Sequence, residues 1–369
     1  MSNSRTRIVF TVTTDLTFDQ RMHRICHSLA TAGFDITLIG RKKKHSTPLE
    51  DTNYQQKRIH CFFNKGKFFY IEYNIRLFLF LLTYPLDIIG SVDLDSLLSG
   101  LSVAKLRHKK CIFDAHEYFS EVPEVVNRPM TQKIWKTIAA FCIPKVDAAY
   151  TVSASLQALF SQQHGIPFQL IRNIAVSQTT PLSNQAIHQH ILFYQGALNK
   201  GRGLEALISA MPKIDNAVLW IAGEGDLSQS LREQVQALGI TEKVQFLGYV
   251  LPAQLKKLTP QATIGLNLLV NKGLSYYYSL ANKTFDYIQA GLPAIHPNFP
   301  EYQQLNQAYS IGLLVNDLNE STLVEAIHKL TTDQDLYQQL HQNCLQAAAE
   351  LNWQQEEKRL IQLYQNLSI

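Results

Sequence analysis

A short segment from Gly196 to Gly203 combines three glycines with two cations, directly after an apolar run. Lys200 and Arg202 stand among these glycines, and Leu204 begins a segment with helical periodicity. Glycines let a phosphate group approach the backbone amides, and two cations together can neutralise a diphosphate. The Lys-Ser or Lys-Thr pair of a P-loop is absent. The segment therefore predicts a diphosphate-binding loop. The alternative is a solvent-exposed turn whose glycines only allow its backbone conformation.

A second candidate segment, residues 279–293, reads SLANKTFDYIQAGLP. Asn282 is predicted to cap the N-terminus of a helix that ends at Gly291. Asp286 is then expected in the first helical turn, where a carboxylate can accept hydrogen bonds from the two hydroxyl groups of a ribose. The alternative is that Asp286 only complements the helix dipole, an effect of about 0.3–1 kcal/mol.

A third motif, Gly223-Glu224-Gly225, follows the apolar run Val218–Ala222. Many tight strand-to-helix turns contain a Gly-x-Gly pair, so this motif by itself does not define a ligand. The third glycine of a dinucleotide fingerprint is missing, which argues against NAD binding.

His116 and Glu117 follow the predicted strand Cys111–Asp114. This position lies at the carboxyl end of a strand, which is where open α/β sheets bind ligands. His116 is therefore a candidate functional residue, and the alternative is a structural hydrogen-bonding histidine. Glu117 is either its partner, an acceptor-binding acid or an acid in the first turn of a helix.

The scaffold for these residues is predicted from an alternation of short apolar runs with segments of helical periodicity. Both series of predicted strands are apolar: Ile8–Val12, Ile36–Gly40, Ile59–Phe62, Asp87–Gly90, Cys111–Asp114 and Ala148–Val152, then Ile191–Tyr194, Val218–Ala222, Val244–Leu247, Ile264–Leu268, Ala294–His296 and Leu313–Val315. Such alternation predicts parallel sheets that are covered on both faces. We therefore expect an α/β fold with two doubly wound, Rossmann-like domains facing a cleft.

The domain boundary is predicted in a polar, proline-broken stretch. We expect a first domain over residues 1–173, a linker over 174–190 and a second domain over 191–350. The remaining residues, 351–369, are predicted to form a helix that packs back on the first domain.

The composition limits the classes of protein that fit. Of 369 residues 46% are apolar and 17% are charged, which is typical of a globular chain. Five dispersed cysteines without a CxxC pair argue against a disulfide framework or a zinc site. No signal-peptide pattern is seen, and the run Leu77–Leu86 is far shorter than the roughly 20 residues needed to span a bilayer. We expect a cytoplasmic protein.

The charge is distributed unevenly along the chain. Residues 1–170 have a net charge of +7, whereas the whole chain has +4. A basic first half fits either an anionic partner or simple solubility. The aromatic segment Phe68–Leu82, predicted as a buried helix of the first domain, also permits peripheral contact with an anionic membrane surface at the inner face of the membrane.

Taken in order, these motifs resemble family 4 (group 1) retaining glycosyltransferases, which have the GT-B architecture of two Rossmann-like domains. The resemblance rests on the loop 196–203, on Gly223-Glu224-Gly225 and on the segment 282–293, and it extends to Asp19-Gln20-Arg21 and to residues 113–117. It covers nearly the whole chain.

The resemblance implies a role for each candidate residue. Arg202 matches the basic residue that holds the donor diphosphate, with Lys200 and Lys283 as further cations, and His116 matches a histidine near the donor sugar. Asp286 matches the second glutamate of the Glu-x7-Glu motif, the one that holds the ribose; Tyr278 stands where the first would be. The implied sites are catalytic His116 and Arg202, and the following donor-binding set: Lys200, Arg202, Gly203, Gly223, Glu224, Asn282, Lys283 and Asp286.

The expected activity is transfer of a sugar, of the hexosyltransferase type, from a nucleotide diphosphate sugar to a carbohydrate or lipid-linked acceptor, with retention, in cell-surface glycan synthesis. The second domain is expected to bind the nucleotide sugar and the first to bind the acceptor. We expect no cofactor, no nucleic-acid partner and no metal, so the Asp-x-Asp pair Asp93 and Asp95 is not predicted as a metal site. Two alternatives remain: a sugar-nucleotide 2-epimerase of the same architecture, and a non-catalytic nucleotide-sugar-binding protein.

Overall fold

The computed structural model describes residues 5–17, 19–44, 46–177 and 189–368. The chain divides into two compact units: Met1–Asn173 together with Glu356–Ile369, and Ile174–Gln355. Most of the predicted linker, residues 178–188, lies outside the described residues.

The first unit is built on a seven-stranded parallel sheet. Its strands are β1 (Arg7–Thr11), β2 (Asp35–Lys42), β3 (Gln55–His60), β4 (Ile88–Val92), β5 (Lys110–Ala115), β6 (Ala148–Thr151) and β7 (Phe168–Leu170). They are arranged in the order β3-β2-β1-β4-β5-β6-β7, so the direction of strand addition reverses between β1 and β4. Six of them overlap the predicted runs; β7 is three residues long and has no periodic signal to reveal it.

Helices cover this sheet because their apolar residues recur at helical spacing. They are α1 (Gln20–Thr31), α2 (Gly66–Thr83), α3 (Leu94–Leu106), α4 (Pro123–Val126), α5 (Pro129–Cys142) and α6 (Ala154–His164). In α1 the apolar face, which includes Met22, Ile25 and Leu29, is fully buried.

Helix α2 differs from the buried helix that we expected. One side, with Phe69, Tyr73, Leu77 and Leu81, is buried, but the opposite side leaves apolar side chains exposed to solvent. The physical reason is that α2 packs on only one side, so an all-round apolar sequence leaves a second apolar stripe uncovered. No helix in the described part of the chain has the length and apolar character needed to cross a membrane.

The second unit repeats the plan with a six-stranded parallel sheet. Its strands are β8 (His190–Gln195), β9 (Ala217–Ala222), β10 (Val244–Gly248), β11 (Ile264–Leu266), β12 (Ala294–Pro297) and β13 (Gly312–Val315). Their order is β10-β9-β8-β11-β12-β13, with the reversal between β8 and β11. All six overlap predicted strands, and the prediction of two Rossmann-like α/β folds is confirmed.

The helices of the second unit follow the strands in alternation. They are α7 (Leu204–Ala210), α8 (Ser228–Ala237), α9 (Pro252–Leu258), α10 (Leu274–Tyr277), α11 (Asn282–Gln289), α12 (Pro300–Tyr309), α13 (Glu320–Thr332) and α14 (Gln334–Glu350). Their apolar faces and the strands form a core that includes Leu207, Leu219 and Ile264, each fully buried.

The last helix, α15 (Trp353–Leu367), returns to the first unit from Glu356 onward. The Glu356 carboxylate accepts hydrogen bonds from the backbone N–H and the guanidinium of Arg172, both at 3.0 Å. Tyr364 is fully buried, and its ring lies 5.7 Å from that of Phe10. This segment therefore completes the core of the first unit.

Candidate functional site

In the second unit, the loops after β8 and β9 meet at the carboxyl edge of the sheet. A Cβ on Gly223 would clash with the carbonyl oxygen of Gly196, so these two backbones touch only because residue 223 is glycine. Gly203 has a positive φ of +73° and a Cβ there would clash with the carbonyl oxygen of Leu268. Lys200 lies exposed in the same loop. The glycines therefore bring backbone and cations close together beside the point where the strand order reverses.

Arg202 contributes a guanidinium group that forms no ion pair with any carboxylate in the described part of the chain. Its Cζ lies 4.9 Å from the ring centroid of Tyr276, and its Nε is buried without a hydrogen-bond acceptor. Among the described residues, no ion pair to Arg202 is formed. A cation that is held by an aromatic face and by no acid is suited to binding an anion.

Lys283 lies beside the same loop, in the first turn of α11. Its Nζ is 3.6 Å from the ring centroid of Tyr194, and the side chain is only 8% exposed. Burial, followed by the positive charge of Arg202, lowers the pKa of Lys283 well below its ordinary value, while Asp286 acts in the opposite direction. Two cations without carboxylate ion pairs thus lie at one edge of this sheet.

Asp286 is oriented by a hydrogen-bond chain. Its Oδ2 accepts a hydrogen bond from Gln195 Nε2 at 2.5 Å, and Gln195 Oε1 accepts one from the Thr259 hydroxyl at 3.2 Å. This chain ties the carboxylate of α11 to the end of β8, so Asp286 lies near Lys283 and the glycine-rich loop.

Two expectations about α11 were wrong. The residue at the N-cap is Ala281, and Asn282 is already the first helical residue, with an exposed side chain. The chain enters the helix one residue earlier than expected, and the Ala281 N–H donates a hydrogen bond to Tyr302 Oη at 3.0 Å at this entry. Consequently Asp286 lies in the second helical turn, where a dipole-complementing role does not explain it.

Glu224 is paired with a residue of the helix that follows its loop. It is exposed, and its carboxylate forms an ion pair with Arg232 of α8 at 2.7 Å. The hydrogen bond from Arg232 lowers the pKa of Glu224. The structure therefore brings Arg202, Gly203, Gly223, Lys283 and Asp286 to one edge and leaves Glu224 paired with a neighbouring helix.

Sequence reasoning missed two buried polar residues in this region, Thr284 and His296. Thr284 Oγ1 and both ring nitrogens of His296 are buried without hydrogen-bond partners. The His296 ring stacks on Tyr302 at 5.2 Å, and burial together with the charge of Lys283 lowers its pKa to about 3. The available signal was a histidine inside the apolar strand β12, an unusual residue for a buried parallel strand.

In the first unit, His116 lies in a charged cluster at the end of β5. Its Nε2 is 2.9 Å from Asp114 Oδ2, and Asp114 also accepts a hydrogen bond from Arg21 at 3.1 Å. Burial lowers the pKa of His116, but the carboxylates of Asp114 and Asp93 together outweigh it and the pKa is raised. These carboxylates thus stabilise the protonated form of the imidazole.

Asp93 supports His116 from the neighbouring strand β4. Its Oδ1 accepts the His116 backbone N–H at 2.9 Å, and its Oδ2 is 3.9 Å from the imidazole Nδ1. Asp93 has φ +55° and ψ 173°, a region that is almost reserved for glycine. Burial raises the pKa of Asp93 well above its ordinary value. A strained, half-buried acid at the point of strand reversal is a functional candidate that sequence reasoning set aside.

Asp95 lies in the first turn of α3, close to the same cluster. Its Oδ2 accepts a hydrogen bond from the Thr13 hydroxyl at 2.6 Å, and burial raises its pKa to about 6. Across the described ranges, no group of three or more His, Cys, Asp or Glu side chains is arranged to hold a metal ion. His116 belongs to the first unit and Arg202 to the second, so the two catalytic candidates lie in separate clusters.

Sequence models of two glycosyltransferase families match most of the chain. The model of the glycosyl transferases group 1 matches residues 183–347, and that of Glycosyltransferase Family 4 matches residues 20–175. The chain belongs to the group 1, family 4 glycosyltransferases. This confirms the resemblance on which the sequence analysis relied.

Two relatives, both glycosyltransferases, match part of the chain. An uncharacterized glycosyltransferase of Methanocaldococcus jannaschii is 26% identical over 48% of this chain and 45% of its own length. The lipopolysaccharide core biosynthesis glycosyltransferase LpsD of Rhizobium meliloti is 26% identical over 39% of this chain and 40% of its own. The matched segment thus spans less than half the length of either relative.

Solved structures are similar over the whole chain. Sucrose-phosphate synthase from Thermosynechococcus elongatus has a TM-score of 0.82 at 18% identity and covers 98% of this chain and 99% of its own. Anabaena HepE in complex with UDP-glucose has a TM-score of 0.78 at 13% identity, and the match covers 98% of this chain and 100% of the HepE chain. At these identities the similarity establishes the GT-B fold.

Proposed function

We propose that this protein transfers a glycosyl unit from a nucleoside diphosphate sugar to a carbohydrate or lipid-linked acceptor. The observation that carries the proposal is the pair Arg202 and Lys283, two cations without carboxylate ion pairs at the strand reversal of the second unit. An open α/β sheet binds ligands at this edge, and a diphosphate supplies the negative charge that these cations lack. Family membership and the UDP-glucose complex of Anabaena HepE support the same donor class.

The donor's parts correspond to residues of the second unit. The diphosphate contacts Arg202, Lys283 and Lys200, and the backbone at Gly203 and Gly223 allows its close approach. The ribose hydroxyls donate hydrogen bonds to Asp286, whose orientation is fixed by Gln195. Asn282 is exposed at the start of α11 and Glu224 is tied to Arg232, so neither makes a principal contact in this proposal.

The reaction breaks the bond between the anomeric carbon and the diphosphate oxygen and forms a bond to an acceptor oxygen. Negative charge grows on the departing diphosphate, so cations that are already in place lower the barrier. The acceptor attacks from the face that the diphosphate leaves, its proton passes to a diphosphate oxygen, and configuration is retained. No protein nucleophile and no metal ion take part.

The first unit binds the acceptor. His116, held between Asp114 and Asp93, is the first unit's candidate for contact with a sugar. The basic character of residues 1–170 favours an acceptor that carries phosphate, such as a lipid diphosphate. The similarity to a lipopolysaccharide core enzyme supports a role in cell-surface glycan synthesis.

A nucleotide-sugar panel tests the proposal. Melting temperatures with UDP-, GDP- and ADP-sugars identify the donor, and the chosen donor is then incubated without acceptor, with acceptor, and with EDTA. Transfer that needs an acceptor and survives EDTA supports the proposal. Release of free nucleotide with epimerised sugar would instead indicate a 2-epimerase, and binding without turnover a non-catalytic protein. Strict dependence on Mn²⁺ or Mg²⁺ would contradict the metal-independent mechanism.

We also propose that the first unit contacts an anionic membrane surface through α2 and α5. The outer stripe of α2 (Phe68, Ile71, Ile75 and Leu79) and that of α5 (Met130, Ile134 and Phe141) are each more than half exposed. The two helices are neighbours, because the Tyr70 and Trp135 rings lie 5.3 Å apart. Exposed apolar stripes flanked by basic residues such as Lys67 and Lys133 fit an interfacial helix pair.

Vesicle binding tests the membrane contact. Ile71→Ser combined with Ile75→Ser is expected to reduce sedimentation with phosphatidylglycerol vesicles, whereas Leu251→Ser, an exposed leucine of the second unit, serves as the matched control. Binding to phosphatidylcholine vesicles should be weaker, and salt should weaken binding to the anionic vesicles. Equal sedimentation of all three proteins would contradict the proposal.

A further inference from the structure

We infer that Lys283 takes up a proton from solvent when a nucleoside diphosphate binds to the second unit. This inference rests on the proposed donor site and concerns how one of its cations acquires charge. The proton goes to Nζ, which becomes an ammonium group opposite the diphosphate; no other bond is made or broken.

The first support is the environment of Lys283 without a ligand. The side chain is 8% exposed, and its Nζ faces the ring of Tyr194 and the backbone at Gly196. No carboxylate forms an ion pair with it among the described residues. The aromatic face compensates only part of the lost hydration of an ammonium group, so burial favours the neutral amine.

The second support is the set of charged groups that face this amine. Arg202, on the loop after β8, carries a permanent positive charge that disfavours a second one nearby. Asp286, on the same helix, acts in the opposite direction, but its carboxylate is engaged by Gln195. His296 on β12 has a pKa of about 3, lowered chiefly by burial, so it contributes no charge at neutral pH.

A diphosphate reverses this balance. Its negative charges lie between the two cations in the proposed site and favour the ammonium form of Lys283. Binding and protonation are then linked: the ligand raises the affinity of Nζ for a proton, and the proton raises the affinity for the ligand by the same factor. Loss of the proton at higher pH therefore weakens binding, by up to about tenfold per pH unit.

Calorimetry with UDP in buffers of different ionisation enthalpy counts the protons directly. The titration is done at pH 8.5, well above the value of about 6 at which a terminal phosphate titrates, so that the nucleotide itself takes up no proton. We expect proton uptake approaching one per UDP bound for the wild-type protein, and an affinity that falls as the pH rises further.

Two variants test whether Lys283 is the group that takes up this proton. Lys283→Arg keeps a permanent cation and is expected to bind UDP with no proton uptake and a flat pH profile. Lys283→Met is expected to bind more weakly, also without uptake. The control Lys200→Met removes a cation of the same loop whose side chain is exposed, and it should lower the affinity while leaving the proton count unchanged.

The outcomes separate this inference from the proposed function. UDP binding with no uptake by the wild-type protein, or with undiminished uptake by Lys283→Arg, would overturn the inference and leave the donor site standing. Failure to bind UDP, GDP and ADP alike would overturn the proposed donor site itself.

Discussion

At the scale of single residues, buried acids of the first unit are expected to make its stability depend on pH. The pKa of Asp95 rises from its ordinary value to about 6 because the carboxyl group is buried. The folded state therefore binds a proton more tightly than the unfolded state does, and this group's contribution to stability falls as the pH rises from about 4 to 6. Asp95→Asn should then stabilise the protein at pH 7.5 by about 2–3 kcal/mol, since the amide still accepts the Thr13 hydrogen bond.

Denaturant unfolding of both proteins at several pH values measures this effect. The difference between Asp95→Asn and wild type should shrink toward zero near pH 4. Asp87→Asn is the control of opposite sign, because the hydrogen bond from Arg7 lowers the pKa of Asp87. It should destabilise at pH 7.5, and the difference should diminish in acid. A pH-independent Asp95→Asn difference would contradict the buried-acid interpretation.

Arg202 and Asp286 are expected to give different kinetic effects. Arg202→Ala removes a contact to a group whose charge grows in the transition state, so turnover should fall on the order of 10²–10³-fold. Asp286→Asn weakens the acceptance of two ribose hydroxyls far from the breaking bond, so the donor KM should rise more than kcat falls.

Steady-state kinetics with the identified donor measures both variants, with melting temperatures as a check on folding. Lys213→Ala is the matched control, because Lys213 forms an exposed ion pair with Glu320 on the surface of the same unit. Wild-type kinetics in Arg202→Ala and Asp286→Asn would remove the basis for placing the donor in the second unit.

The residue scale is also where sequence reasoning was least complete. It proposed Arg202 and Asp286 as donor-site candidates from their motifs, but it set aside Asp93. Asp93 meets His116 because strands β4 and β5 pair side by side, which no local pattern encodes. Likewise, the N–H of the N-cap residue Ala281 donates a hydrogen bond to the hydroxyl of Tyr302, twenty-one residues away in sequence.

At the scale of elements, the loop between β8 and α7 depends on glycine for its geometry. Gly203 has φ +73° and faces the carbonyl oxygen of Leu268, whereas Gly239 has φ +65° and no atom within 4 Å of a Cβ. Gly239→Ala should cost about 1 kcal/mol from backbone strain alone. Gly203→Ala should cost more than this because the loop must also move away from Leu268.

Thermal unfolding and UDP titration of both variants separate the two effects. Gly203→Ala is expected to lose UDP affinity in addition to stability, and Gly239→Ala should retain the affinity. Equal losses of stability in the two variants would contradict the argument that close backbone approach, rather than φ alone, requires glycine at position 203.

The strands and helices were the features that the sequence predicted most completely. The strands are apolar on both faces because helices cover both sides of each sheet, so runs such as Ile8–Val12 identify β1 without further information. Helix α2 shows the limit of this reasoning. Its apolar residues extend all round the helix, and only the packing of α2 on one side determines which stripe remains exposed.

At the scale of the whole molecule, the two units have the same architecture. In each, the candidate residues follow strands next to the point where the strand order reverses, β1 and β4 in the first unit and β8 and β11 in the second. Strand order is set by long-range pairing, so the sequence predicted the two series of strands but not which loops would be neighbours. This is why the Asp93 cluster emerged only from the structure.

The C-terminal segment belongs to the unit that begins the chain, and this has a measurable consequence. Tyr364 is fully buried against Phe10 and Tyr150 in the first unit. Tyr364→Ala should therefore lower the stability of that unit by about 3–5 kcal/mol, the usual cost of truncating a buried aromatic side chain. Tyr302→Ala truncates an equally buried tyrosine of the second unit and is the matched control.

Hydrogen exchange monitored by peptide locates the loss of stability. Tyr364→Ala should speed amide exchange in β1 and β6, and Tyr302→Ala should instead speed it in β12 and the helices packed near it, because exchange from core strands reports the stability of the unit that contains them. Faster exchange in β8 and β9 of Tyr364→Ala, with β1 unaffected, would contradict the assignment of Glu356–Ile369 to the first unit.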